Sequence, residues 1–114
     1  MDVTHLFAGL VVADRDRATA FYALVFGRPA DLLPNDREAM WLLTGGANLY
    51  LLTDPARAGH GSVAIAVDDL AATVAALAGR GVAVGPIEAV GEAGDKAVVT
   101  DPDGNELSLL ELKS

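Results

Sequence analysis

The chain has 114 residues, room for a single domain, and its 52% hydrophobic content is ample for a core. Sixteen acidic residues against eight basic ones give a net charge of −8, which disfavours nucleic acid and anionic membranes and mildly favours cationic ligands. The absence of cysteine excludes disulfides, thiolate chemistry and Cys-rich zinc sites, and with no basic leader and no membrane-length apolar run the expected location is cytoplasmic.

Taken in order, Leu6, Ala8, Leu10 and Val12 alternate with His5, Phe7, Gly9 and Val11, as in a strand buried on one face. Asp14 is placed to cap a helix carrying Ala18, Phe21, Tyr22 and Val25 at helical spacing and ending near Gly27. Strands are expected at about 30–33, 39–43 and 47–52, with Gly45-Gly46 as a hairpin turn. Either a two-residue or a four-residue turn places Trp41 opposite Tyr50 or Asn48, so all three are expected on one face. After the linker 54–59, Val63, Ile65 and Val67 alternate with Ser62, Ala64 and Ala66, and Asp68 or Asp69 can cap a helix carrying Leu70, Val74, Leu77 and Ala78. Strands at 82–84, 96–100 and 106–112 complete the chain, with a loop at 91–95. Asp101-Pro102-Asp103-Gly104 makes the last turn, after which Leu107 and Leu109 point one way and Glu106, Ser108 and Leu110 the other.

A shift of 55 residues superposes His5 on His60, Val12 on Val67 and Asp14 on Asp69. The halves therefore follow one plan, module one over 3–53 and module two over 60–112. Each is too small to stand alone and must bury a face against the other half or another chain. The bulkier strand residues should face the helices, leaving Gly9, Ser62, Ala64 and Ala66 on an opposite face with room for a cavity.

Three segments point to a family. Asp101-Pro-Asp-Gly-Asn-Glu-Leu-Ser-Leu-Leu-Glu111 resembles the closing hairpin of the vicinal oxygen chelate superfamily, which includes glyoxalases, extradiol dioxygenases, fosfomycin-resistance enzymes and bleomycin-resistance proteins. Leu10-Val-Val-Ala-Asp14 with Ala20-Phe-Tyr22 and Phe26-Gly27 resembles that family's opening strand and helix, and Val63–Leu70 resembles its second copy. The resemblance implies an α+β fold of two tandem βαβββ modules with a ligand site on a concave sheet face. Short members of the family also resemble half-sites completed by a second chain, so a homodimer is expected, with each pocket formed by module one of one chain and module two of the other.

The family's metal enzymes take one ligand from the first and one from the last strand of each module. Those positions fall here on Phe7, Tyr50, Ser62 and Ser108, which offer neither carboxylate nor imidazole. The expectation is a protein without a metal or other cofactor. His5, His60 and Glu106, two residues before vacant positions, form an alternative set for a displaced divalent metal. No nucleophile stands beside a base, so no catalytic residue is assigned.

The candidate ligand-binding residues are Phe7, Trp41 and Tyr50 as aromatic walls, with Asn48, Ser62, Glu106 and Ser108 as polar contacts. The preferred reading is a metal-free protein that sequesters a planar, neutral or cationic organic molecule such as an antibiotic. The alternatives are a metal-dependent lyase, isomerase or dioxygenase with a displaced site, and an interaction domain with a closed pocket.

Overall fold

In the computed structural model, which describes residues 1–113, module one runs β1 (Leu6–Val12), α1 (Arg15–Phe26), β2 (Leu32–Asn35), β3 (Glu38–Thr44) and β4 (Ala47–Thr53). Module two runs β5 (Ser62–Ala66), α2 (Leu70–Gly79), β6 (Glu88–Ala89), a 3₁₀ turn over Gly91–Ala93, β7 (Gly94–Thr100) and β8 (Glu106–Leu112). The sheets are ordered β1-β4-β3-β2 and β5-β8-β7-β6, and in each the first strand lies parallel to the last. The architecture is therefore two βαβββ modules.

The helices start and stop where their caps allow. The Asp14 carboxylate accepts from the Arg17 N–H and the Asp69 carboxylate from the Ala72 N–H, each satisfying an otherwise orphaned donor of the first turn. Gly27, at φ 73°, ends α1 in the left-handed conformation that a side chain would resist. Ala18, Tyr22 and Val25 of α1 and Leu70 and Leu77 of α2 are buried. They join Leu10, Val12, Leu49, Leu51, Val99, Leu107 and Leu109 in one hydrophobic cluster spanning both modules. Full burial of one such side chain stabilises by about 1.5–3 kcal/mol.

Two expected segments differ. No strand forms at 82–84: the chain meets β7 through the Gly85 N–H to Val98 carbonyl bond, 2.9 Å, and regular pairing appears only at β6. Gly81 and Gly85 favour irregular backbone, and Pro86 has no N–H to contribute to a ladder. The loop expected at 91–95 is a 3₁₀ turn running directly into β7 at Gly94.

The Asp101–Asn105 segment is more than a turn. The Gly104 N–H closes onto the Asp101 carbonyl, and the Asp101 carboxylate accepts from the Tyr22 hydroxyl, the Asn105 amide and the backbone N–H groups of Asp103 and Asn105. Asn105 in turn donates to the Val11 carbonyl and accepts from the Gly61 N–H. Asp103 accepts from the Ala13 N–H and pairs with Arg17. Module two is thereby clasped to β1 and α1 through buried, multiply bonded groups. Burial, followed by the adjacent Asp101 charge and the bond to it, raises the Tyr22 phenol far above its ordinary pKa, so it remains a donor.

Candidate functional site

Each helix covers one face of its sheet and leaves the other open. On sheet one the strand register sets out three rows: Phe7–Asn48–Leu42, Gly9–Tyr50–Met40 and Val11–Leu52–Glu38. Sheet two gives Ser62–Glu106–Thr100, Ala64–Ser108–Val98 and Ala66–Leu110–Lys96. The first face is dominated by apolar and aromatic side chains, with Phe7 51% and Leu42 48% exposed. The second is small and polar: Ser62, Ala64, Ala66, Glu106 and Thr100 are exposed, and Ser108 is half-buried. Exposure on both sheets means that neither face is covered by the other module of the same chain.

The expected grouping of Trp41 with Asn48 and Tyr50 is wrong. Trp41 pairs with Leu49, is fully buried on the helix side, packs against Tyr22 and Phe26, and donates from its indole N–H to the Arg28 carbonyl. The cause is an irregularity beside the turn. Thr44 pairs with Ala47 across Gly45-Gly46, but the next pair is Leu42 with Asn48, so Leu43 is an extra residue and every side chain before it changes face. Met40 and Leu42 occupy the open face that Trp41 was expected to line.

Gly9 does not leave a void either. A Cβ there would lie 2.5 Å from the Tyr50 Cζ, so the phenol ring rests directly on the Gly9 backbone. Within one chain, the space expected above the small residues of module two is an open surface.

Asn48 is buried, and its amide lies 3.4 Å from the carbonyl oxygens of Leu6 and Gly46. Because both neighbours are acceptors, the amide nitrogen must face them and Oδ1 must face away.

The metal positions implied by the family resemblance are occupied by Phe7, Tyr50, Ser62 and Ser108, whose phenyl ring and hydroxyls offer a divalent cation neither carboxylate nor imidazole. Nor do His5, His60 and Glu106 come together within one chain: among the described residues no group of three His, Cys, Asp or Glu side chains could hold a metal ion. Both histidines are exposed ahead of their strands, and the His5 ring stacks on Phe7 with centroids 6.3 Å apart. Among the described residues, no helix is long and apolar enough to cross a membrane.

Comparison with known proteins agrees with this architecture. Residues 3–109 match the model of the Glyoxalase/Bleomycin resistance protein/Dioxygenase superfamily. A glyoxalase/bleomycin resistance protein from Catenulispora acidiphila DSM 44928 is 33% identical, with a TM-score of 0.89 over 97% of this chain and 100% of that one. TnmS3, an antibiotic binding protein from Streptomyces sp. CB03234, is 26% identical, with a TM-score of 0.80 and 99% of each chain covered. A bleomycin-binding protein solved with bleomycin shares the fold at 22% identity and a TM-score of 0.80, covering 97% of this chain and 100% of that one. No curated protein sequence matches. With nearly its whole length matched by the family model and a solved relative one-third identical, the chain belongs to the Glyoxalase/Bleomycin resistance protein/Dioxygenase superfamily.

Proposed function

We propose that this protein binds and sequesters a small, flat organic molecule, with no metal, between the open faces of two sheets. The observation that carries the reading is the uncovered face of Phe7, Leu42, Met40, Tyr50 and Leu52 on sheet one. An exposed patch of that composition, rimmed by polar residues, marks a binding surface. Sheet two offers Ser62, Ser108 and Glu106 as polar contacts above a floor of Ala64 and Ala66. The likeness to TnmS3, an antibiotic binding protein, and to a bleomycin-binding protein complexed with bleomycin supports the same class of ligand. Because one chain leaves both faces uncovered, we further propose a homodimer in which module one of one chain faces module two of the other. The net charge of −8 and the Glu106 carboxylate favour a neutral or cationic ligand over an anion.

A thermal-shift screen of bleomycin and planar antibiotics, run with and without EDTA beside light scattering, tests the reading. A ligand that raises Tm equally in both buffers, on a particle of twice the chain mass, is expected. Stabilisation that requires added divalent metal would favour a displaced-metal enzyme instead, and a monomer would remove the shared pocket.

A further inference from the structure

At the end of the sheet-one open face lies a cavity of about 280 Å³ lined by His5, Leu42, Thr44 and Asn48 together with the Gly45-Gly46 turn. It is slightly smaller than the roughly 300–1,000 Å³ of a drug-sized site, which suits one ring bearing one polar group. Asn48 in its lining supplies an acceptor. Asn48 is 7% exposed, and its Oδ1 accepts no hydrogen bond from any described residue but keeps contact with solvent, since among the described residues Thr53 Oγ1 is the one fully buried side-chain polar atom without a partner. The amide nitrogen is already committed to two carbonyls, which prevents the group from flipping to present a donor. An amide oxygen open to the cavity is free to accept from a bound N–H in place of water. Beside it, the His5 Nδ1 is bonded to the Thr4 hydroxyl, and Nε2 has no described partner. Leu42 lines the cavity on the other side of Asn48, and Phe7, stacked under His5 and paired in register with Asn48, extends the apolar surface beside it.

We propose that this corner is a subsite for a planar N–H donor, a carboxamide or amidine carried on an aromatic ring, with Asn48 Oδ1 as its acceptor. The proposal rests on the ligand-binding reading of the open face and adds the polar group by which a ligand is oriented there. A group of this shape lays its ring against Phe7 and Leu42 and points its N–H at Asn48. A carboxylate of the same size has no donor to offer and meets an acceptor instead.

The chain has three asparagines, Asn35, Asn48 and Asn105, and no glutamine, so its side-chain amide NMR spectrum contains three pairs of signals, two of them internal controls. Benzamide, benzamidine and benzoate serve as probes at millimolar concentration. Saturable shifts of the Asn48 amide signals with benzamide or benzamidine are expected, with benzoate at least about tenfold weaker, a factor equivalent to about 1.4 kcal/mol. Asn48→Leu should abolish the preference, and Asn48→Asp, which keeps the acceptor and adds charge, should retain benzamidine. Benzoate binding as tightly as benzamide, or benzamide binding undiminished in Asn48→Leu, would overturn the proposal. Shifts at Phe7 and Tyr50 without any at Asn48 would refute the subsite while leaving the open face as a binding surface; no shifts at any of the three would count against both.

Discussion

Replacing Asn105 with alanine should be among the most damaging single changes in this protein, although the residue lies in a turn. Its side chain donates to the Val11 carbonyl and the Asp101 carboxylate and accepts from the Gly61 N–H, each at 2.8 Å, with no exposure to water. Truncation strands three partners at once. One bond involves a charged group, worth about 1.5–3 kcal/mol, and two are neutral at about 0.5–1.5 kcal/mol each, so a loss of about 3–5 kcal/mol is expected. A chain of 114 residues has about 6–17 kcal/mol in total, so this is a large share of it. Urea unfolding followed by far-UV circular dichroism and by Trp41 emission measures the loss. Trp41 lies in module one and Asn105 in module two, so a clasp between modules predicts that both signals move together to lower urea with an unchanged slope. A loss below about 1 kcal/mol would refute the reasoning from buried partners. A Trp41 transition left in place while the dichroism shifts would refute the inter-module clasp.

Trp41→Ala should cost about 3–5 kcal/mol of stability by emptying a core position, whereas Trp41→Phe should leave ligand affinity unchanged in a calorimetric titration, since the indole lies on the helix side. Gly9→Ala places a methyl in the Tyr50 ring; the half-buried phenol can swing aside, so the thermal midpoint should move little while ligand affinity falls, read by denaturation and titration of the same sample. The raised Tyr22 pKa means that above about pH 10 the unfolded chain releases a proton the folded chain keeps, so stability declines as pH rises beyond that point. Tyr22→Phe should be less stable at neutral pH through loss of the Asp101 bond and should lack that alkaline decline, both visible in urea midpoints from pH 7 to 11. Glu106→Gln should weaken cationic ligands more than neutral ones, with a difference that shrinks in salt, as titrations at two ionic strengths would show.

The parts of the fold that follow local rules were legible in the sequence. Asp14, Asp69 and Gly27 mark helix ends through their own backbone chemistry, and the alternation over 106–112 reads out the last strand residue by residue. The 55-residue repeat anticipates two sheets of equal order. What failed depends on geometry beyond the local pattern. Leu43 as an extra residue beside the Gly45-Gly46 turn has no signature in composition, yet it reverses the facing of Trp41 and hides the contribution of Met40 and Leu42 to the open face. Asp101 and Asn105 look like turn residues because they are; that they also bond Tyr22, Val11 and Gly61 depends on how the modules pack. Phe7, Asn48, Tyr50, Ser62, Glu106 and Ser108 lie on open faces as expected, because simple parity governs each of them.

The most direct test of a ligand site shared between two chains is complementation in a mixed dimer. Phe7→Ala spoils the face of module one, and Ala64→Trp fills the small-residue floor of module two, so each variant alone should fail to bind in calorimetry. If module one of one chain faces module two of the other, a dimer carrying one chain of each kind holds one doubly altered pocket and one wholly unaltered pocket, and half of the wild-type binding capacity returns at wild-type affinity. If each pocket is built within one chain, both pockets of the mixed dimer carry a lesion; no return of binding, in a mixture shown by mass spectrometry to have exchanged chains, would contradict the account.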